Sequence, residues 1–272
     1  MAADTQSGPR IVRLARYPVK GLSPEYLQSI VVEPDRPFAF DRAYAAQLRP
    51  GKFQPDAPRH LPKIHFLHLA RHAQLAHLRT QFDAETQTLS LHRDGELAVT
   101  GSLNAPDGRA RIEAFLHEFI GPELPGRPQI VSAPGHTFSD VDAQVVHVMN
   151  LASLRDLEAR MGMAIDPLRF RANVWIDGVP AWSELSWGDL AARAESAVGG
   201  PRVTLGAVEC AVFARTDRCA ATQVNPTTAA CDADIPRFLL KEFGHMDFGI
   251  YAHIKTHGTL RVGDVVGLPA SI

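Results

Sequence analysis

The residues best suited to chemistry lie in one segment, Arg215-Thr216-Asp217-Arg218-Cys219-Ala220-Ala221-Thr222-Gln223-Val224-Asn225-Pro226. It follows an apolar run and closes on an Asn-Pro turn signal, so Cys219 falls in a loop. Two flanking guanidinium groups, Arg215 and Arg218, favour a thiolate over a thiol, and the thiolate is both the nucleophilic and the metal-binding form of cysteine. The competing reading is a cysteine that fills a small apolar gap; spacing alone leaves both open. Cys210, inside the apolar run 208–213, reads as core, and Cys231 beside Asp232 lacks a basic activator. With three cysteines so far apart, a disulfide framework, a paired-cysteine zinc site and a four-thiolate cluster are excluded. His65, His68 and His72 fall at i, i+3 and i+7 and would share one helix face, but no carboxylate joins them, so a metal site there is disfavoured. There is no Gly-x-Ser-x-Gly, no phosphate loop and no dinucleotide glycine fingerprint.

The elements that must position these residues are mostly strands. Residues 11–19 and 27–32 alternate apolar and polar, and Lys20-Gly21 sits at the first turn. The stretch 51–62 carries three prolines and reads as a surface loop. Apolar residues recur at mostly helical spacing over 68–82, which predicts a helix. Asp94-Gly95 between 88–92 and 96–100 is a hairpin signal. Ile112, Phe115, Leu116 and Phe119 form one stripe of a helix over 108–120, stopped by Gly121-Pro122. Strands are expected at 129–132, 144–149, 170–176 and 203–213, and again over 249–266 with breaks at Gly258 and Gly263. Helices are expected at 153–161, capped by Asn150 or Ser153 and ended by Gly162, and at 236–243, ended by Gly244. Arg171 would then lie inside an apolar strand, where an unpaired charge is costly. The pattern suits a β-rich α+β protein that contains a barrel.

The chain has 272 residues, 45% hydrophobic and 21% charged, with a formal net charge of -2. That is ordinary globular composition, long enough for two packed lobes that share a site. No Lys/Arg block stands out, so nucleic acid is not an expected partner. Residues 1–10 are polar with no targeting pattern, and no apolar run is long enough to span a bilayer, which gives the expectation of a soluble cytoplasmic protein.

One collinear set of short pieces is specific where each piece alone is not. Tyr17-Pro18-Val19-Lys20, Asp41-Arg42, Phe170-Arg171-Ala172-Asn173-Val174, Cys219-x-x-Thr222-x-Val224-Asn225-Pro226 and Val262-Gly263-Asp264 resemble the MOSC family with its N-terminal β-barrel domain. The resemblance implies a β-barrel-like lobe at residues 10–120 packed on a MOSC β-barrel at 121–269 with peripheral helices. It implies a molybdenum cofactor, a pyranopterin dithiolene whose metal takes Cys219 as its protein ligand. Lys20, Arg42, Ser153, Arg171, Asn173 and Arg218 would hold the pterin and its phosphate, as Arg forks, a Lys point charge and helix N-terminal amides suit a phosphate-bearing anion. The expected activity is reduction of N-hydroxylated substrates; the alternative is a carrier of the cofactor, or of a persulfide on Cys219. Because the chain lacks flavin, nicotinamide and haem attachment motifs, a ferredoxin-, flavin- or haem-type reductase must supply electrons. Three positions depart from the amidoxime-reducing relatives: Gly21 replaces Ser, Ala172 replaces Pro, and Thr216 stands where some carry an additional Cys.

Overall fold

The computed structural model describes residues 8–187 and 201–269; the polar stretch 1–7 lies outside them. Its centre is a curled sheet in the order β15 (Val266–Gly267), β11 (Arg202–Leu205), β12 (Val208–Asp217), β13 (Asp247–Ile254), β9 (Val146–Asn150), β10 (Val174–Asp177), β1 (Arg10–Arg16) and β2 (Glu25–Leu27). The chain returns beside β1 just before β15: Ile11 N donates to Asp264 O at 2.8 Å, and Gly263 N and Val266 N donate to Ile11 O and Pro9 O, each at 2.8 Å. Those bonds close seven strands into a barrel, with β2 outside the ring.

Period-two alternation fills the barrel. Val146 and Val148, Val174 and Ile176, Val208, Cys210 and Val212, and Ile250, Ala252 and Ile254 point into one buried cluster. Cys210 is thus core, and burial pushes its thiol up to about 12. The opposite faces of the same strands, with Met149, Trp175 and Phe248, are covered by α2 (Leu151–Met161) and α3 (Ile235–Phe243) through Leu154, Leu157, Ile235 and Leu239. The Asn150 side chain caps α2 by accepting from Ala152 N at 3.0 Å, and left-handed Gly162 and Gly244 end the two helices.

A second core forms around β4 (Ala45–Gln47), which pairs with β8 (Gln129–Val131), and the meander β5 (Leu78–Asp83), β6 (Thr88–Arg93) and β7 (Glu96–Ser102). Helix α1 (Pro106–Ile120) packs on it, burying Gly108, Ile112, Leu116 and Ile120 at every fourth position. The protein is therefore β-rich α+β, and each of its two cores draws on both stretches of the chain. The expected lobe 10–120 gives β1 and β2 to the barrel sheet, and Ile11, Leu14, Ile30, Val32 and Phe38 to its core. The expected domain 121–269 gives β8 to the other core.

Two expected elements differ. Over 68–82 there is no α-helix but a short 3-10 turn, Ala73–His77, followed by β5. Leu78, Thr80 and Phe82 are buried in strict alternation and the strand pairs with β6 from Leu78↔Arg93 to Asp83↔Thr88, so cross-strand pairing overrides the helical spacing. Over 170–176 only Val174–Asp177 is strand; Pro167–Phe170 is a 3-10 turn, and Arg171 follows it with φ 53° in the left-handed region.

Helix α1 meets β7 backbone to backbone. A Cβ at Gly108 would touch Ser102 O and lie 2.6 Å from Ser102 N, atoms that cannot rotate away. Gly108→Ala is therefore expected to destabilise the protein by roughly 1–3 kcal/mol, the usual cost of overpacking, despite alanine's better helix propensity. Denaturant unfolding checks this; an unchanged or raised midpoint would show that α1 and β7 separate more cheaply than the geometry implies.

Candidate functional site

The two cores face one another across a cavity of about 340 Å³. Its walls come from the turn after β1, the Asp41-Arg42 corner, Lys63, His68, the loop with Thr137 and Asp140, His147 of β9, the turn before β10, and the Arg215–Thr222 end of β12 with Tyr251 beside it. Seven Lys or Arg side chains line it against three Asp, so the field inside favours an anion.

Backbone bonds lock the first two segments together. Arg42 N donates to Tyr17 O at 2.7 Å, Lys20 N to Tyr44 O at 2.8 Å, and Tyr17 N to Asp41 Oδ1 at 2.8 Å. Gly21 follows with φ 85°, where a Cβ would lie 2.9 Å from Leu67 O. The chain cannot carry a serine there without moving that carbonyl, which accounts for the departure noted at this position.

The cations divide into paired and unpaired. Lys20 Nζ donates to Phe138 O at 2.7 Å and to Asp140, and Arg42 pairs with Asp41. Burial raises the Asp140 carboxyl, but Lys20, Lys63 and Arg42 outweigh it and hold the group down to about 2. Burial lowers the Lys20 ammonium despite Asp140. Arg171 and Arg218 have no carboxylate partner among the described residues. Arg171 Nη1 donates to Leu22 O at 2.8 Å and Arg218 Nη2 to Phe170 O at 2.6 Å, while Arg218 Nε is buried without a partner. Burial pushes Arg171 down to about 10 and lowers Arg218 as well. The Tyr17 ring lies between two guanidinia, Arg171 at 4.2 Å and Arg42 at 4.8 Å from its centroid, and Arg218 stands 5.5 Å from the Phe170 ring. The ring faces take the place of carboxylates, leaving most guanidinium N–H groups available to a ligand.

Cys219, half-buried, opens a 3-10 turn, Ala220–Gln223. Thr222 donates to Cys219 O from its N at 3.0 Å and its Oγ1 at 2.9 Å. Asn225 Oδ1 accepts from Thr227 N at 2.9 Å, and its Nδ2 donates to Asp232 at 2.7 Å. Arg169 donates to Gln223 O at 2.7 Å and pairs with Asp232. The Cys-x-x-Thr-x-Val-Asn-Pro run is thus a self-bonded loop that holds the sulfur still. The cation whose titration the sulfur influences is Lys63: burial works against its ammonium, but Cys219, Asp140 and Asp217 raise its pKa above the usual value. Arg215, expected in that role, instead reaches Asp247 at 3.3 Å and Leu185 O at 3.1 Å.

Of the expected site residues, Cys219, Lys20, Arg42, Arg171, Asn173 and Arg218 line this one cavity. Asn173 is largely committed to the barrel: its Oδ1 accepts from His147 N at 3.1 Å and its Nδ2 donates to Ala15 O at 3.2 Å. Ser153 lies elsewhere, its hydroxyl donating to Glu184 at 2.7 Å and accepting from Trp182 N at 2.8 Å. It sits on the third residue of α2, and the side chain facing Trp182 takes it away from the cavity. Lys63, Asp140, His147 and Arg169 were not visible as site residues in the sequence: Lys63 hides in the proline-rich stretch, and His147 looks like an ordinary strand residue. The His65, His68 and His72 face does not exist, because the segment is two 3-10 turns and a loop. Among the described residues no group of three His, Cys, Asp or Glu is arranged to hold a metal ion.

A β-barrel and a second β-rich core that enclose a cationic cavity, with a cysteine sulfur on its wall, define a binder of an anionic group that can take a soft donor. The chain belongs to the MOSC family: the MOSC domain matches residues 135–267 and the MOSC N-terminal beta barrel domain residues 8–122. Among curated relatives, it is similar to mitochondrial amidoxime-reducing component 1 of Mus musculus, 31% identical over 47% of this chain and 37% of the relative. Mitochondrial amidoxime reducing component 2 of Homo sapiens is 31% identical over 44% of this chain and 35% of its own length. The matches therefore span little more than a third of those relatives. Among solved structures, the YuaD protein of Bacillus subtilis aligns over 95% of both chains at 11% identity with a TM-score of 0.41.

His68, on the cavity wall, has both ring nitrogens buried and unpartnered, and burial, His72 and Lys63 hold it down to about 4. Between pH 6.5 and about 4 the unfolded chain binds a proton that the folded chain refuses, so stability falls as pH falls through that window. In cofactor-free protein, His68→Gln should flatten the midpoint-against-pH curve there; a parallel curve would show that His68 is protonated at no cost when folded.

Proposed function

We propose that this protein holds a molybdenum cofactor in the cavity between its two cores and reduces N-hydroxylated substrates. The observation that carries the reading is a pair of guanidinia without carboxylates, buried Arg218 and half-buried Arg171, on the cavity that also carries the half-buried Cys219. Buried cations of that kind call for an anionic partner, and a phosphate accepts from Arg forks in the geometry such groups offer. A thiolate is a soft donor suited to a redox metal. The residues present therefore fit the group, and the relatives named above are amidoxime-reducing components.

When bound, the cofactor supplies a two-electron redox centre. Cys219 would be its protein ligand, held in place by Thr222, Asn225 and Arg169 behind it. Arg171, Arg218, Lys20 and Arg42 would hold the anionic end, with Tyr17 keeping two of those guanidinia from swinging together. The Lys63 ammonium, 3.9 Å from Asp140 on the same cavity, would carry an exchangeable proton there. Reduction of an amidoxime breaks its N–O bond: two electrons and two protons enter, an N–H bond forms, and the oxygen leaves as water. The electrons would come from a separate ferredoxin-, flavin- or haem-type donor.

Purified protein should contain molybdenum near one per chain and reduce amidoximes with reduced viologen, but not with NADH alone. Cys219→Ser should abolish turnover and change the metal's spectrum, whereas Cys210→Ser and Cys231→Ser leave it intact. Arg171→Ala should lower occupancy with the fold retained, by analogy with the roughly 2–5 kcal/mol lost when one member of a buried charge pair is truncated. Full molybdenum loading without viologen activity, or cyanide-labile sulfur on Cys219 without molybdenum, would instead favour a carrier.

A further inference from the structure

Charge is unevenly spread along this chain. Residues 49–72 hold five Lys or Arg and four His against a single acid, Asp56, although the whole chain carries a formal net charge of -2. The cations are spaced too widely to stand out as a run. Arg49, Lys52, Arg59 and Arg71 are exposed, and none of them has a carboxylate partner among the described residues. Arg49 and Arg71, far apart in sequence, meet with His65 at a surface cavity of about 280 Å³, which Ile64, 62% exposed, also lines. The acid on that cavity, Glu123, forms no ion pair with either arginine.

Backbone bonds fix this face. Leu48 N donates to His65 O at 2.8 Å, Phe66 N to Lys63 O at 3.0 Å and Leu67 N to Ala46 O at 2.8 Å, so the Lys63–His65 turn is fastened to β4 and its end. The turn also looks both ways: Lys63 lines the Cys219 cavity, and Ile64 and His65 line the outer one. A partner seated on Ile64 is therefore separated from the Cys219 cavity by one turn of chain. We infer that the face formed by Arg49, Ile64, His65 and Arg71 is the docking surface for a small acidic one-electron carrier protein of the ferredoxin type. Unpaired cations steer an acidic partner to the surface and set its orientation, and redox encounters of this kind are small and salt-sensitive. A lipid surface is met by an amphipathic helix with several apolar side chains; this face offers a 3-10 turn and one exposed isoleucine. The inference rests on the reductase reading given above. Each encounter oxidises one reduced carrier and delivers one electron, so two encounters supply the pair that, with two protons from water, breaks one N–O bond.

The test drives the molybdenum-loaded full chain with an acidic plant-type ferredoxin kept reduced, and in parallel with reduced viologen, which needs no docking surface. Arg49→Gln/Arg71→Gln removes two positive charges; Arg237→Glu, an exposed position on α3 that lines neither cavity, makes the same change in net charge and serves as the control. At limiting ferredoxin and low salt the double variant should be slower by about tenfold, the lower end of what electrostatic steering contributes, and the gap should close as salt is raised. Its viologen-driven rate, molybdenum content and thermal stability should match the parent, and Arg237→Glu should match the parent throughout. Calorimetry of ferredoxin on the cofactor-free chain gives a readout independent of turnover: Ile64→Ser and the double variant should each weaken binding. An unchanged ferredoxin-driven rate in the double variant, equal losses with both donors, or no ferredoxin binding to the parent would each overturn the inference. So would binding of vesicles rich in anionic lipid, lost in the double variant, in place of ferredoxin; the face would then be a membrane contact. If neither donor supports reduction yet the parent binds ferredoxin and the double variant does not, the docking surface stands and the reductase reading falls.

Discussion

Two guanidinium groups withdrawn from water without carboxylates, buried Arg218 and half-buried Arg171, set the terms for the rest of this structure. Taking Arg171 and Arg218 out of water is costly, and the carbonyls of Leu22 and Phe170 with the rings of Tyr17 and Phe170 offset only part of it. The surroundings then have to keep those charges accessible from one side and supported from the other. Arg171 and Arg42 both occupy left-handed backbone, φ 53° and 52°, a conformation that non-glycine residues adopt at a cost of about 1–3 kcal/mol and that tends to gather at functional sites. The turn before β10 and the corner after Asp41 hold that strain because each is pinned by the barrel strand beside it.

Around that pair the cavity is graded. Asp140 and Asp41 neutralise Lys20 and Arg42 on the wall formed with the second core, while the barrel wall carries the uncompensated charge. An anion entering is drawn toward Arg171 and Arg218, and the Cys219 sulfur lies on the same wall. The loop that carries the sulfur is held from behind by Arg169, a third buried guanidinium, whose bonds go to Gln223 O, Thr222 O and Asp232. Arginine therefore serves two purposes a few residues apart: Arg169 fixes a loop, and Arg171 lines the cavity without a carboxylate partner among the described residues.

Much of this could be read from the residues. The hairpin at Asp94-Gly95, the helix stopped at Gly121 and the caps of α2 and α3 follow local rules, so local reading finds them. The collinear motif pieces located six of the seven expected site residues on one cavity. What local reading missed was decided by partners distant in sequence. Leu69, Ala73 and Ala76 mimic helical spacing, but β6 claims the following residues as a strand. Arg171 looked like a strand residue because Val174 to Ile176 are one, and no sequence signal marks the left-handed turn that separates them. Ser153 matched by position in a helix start, yet Glu184, thirty-one residues later, takes its hydroxyl. Lys63 and Asp140 reach the site from loops whose composition says only that they are loops.

The strand that closes the barrel is the first of the chain, and its neighbours on either side are β10 and the residues just before β15. During synthesis β1 can meet its local partner β2 early, along Leu14–Arg16, but its other edge and its first residues wait for β10 and the residues just before β15, which come much later in sequence. Contacts of such wide sequence separation slow folding and leave strand edges exposed meanwhile. The region matched by the MOSC domain, residues 135–267, does not include that strand, whose bonds to Gly263, Asp264 and Val266 complete the ring. The cavity is likewise not contained in that region alone, since Lys20 and Arg42 on its wall follow the amino-terminal strand.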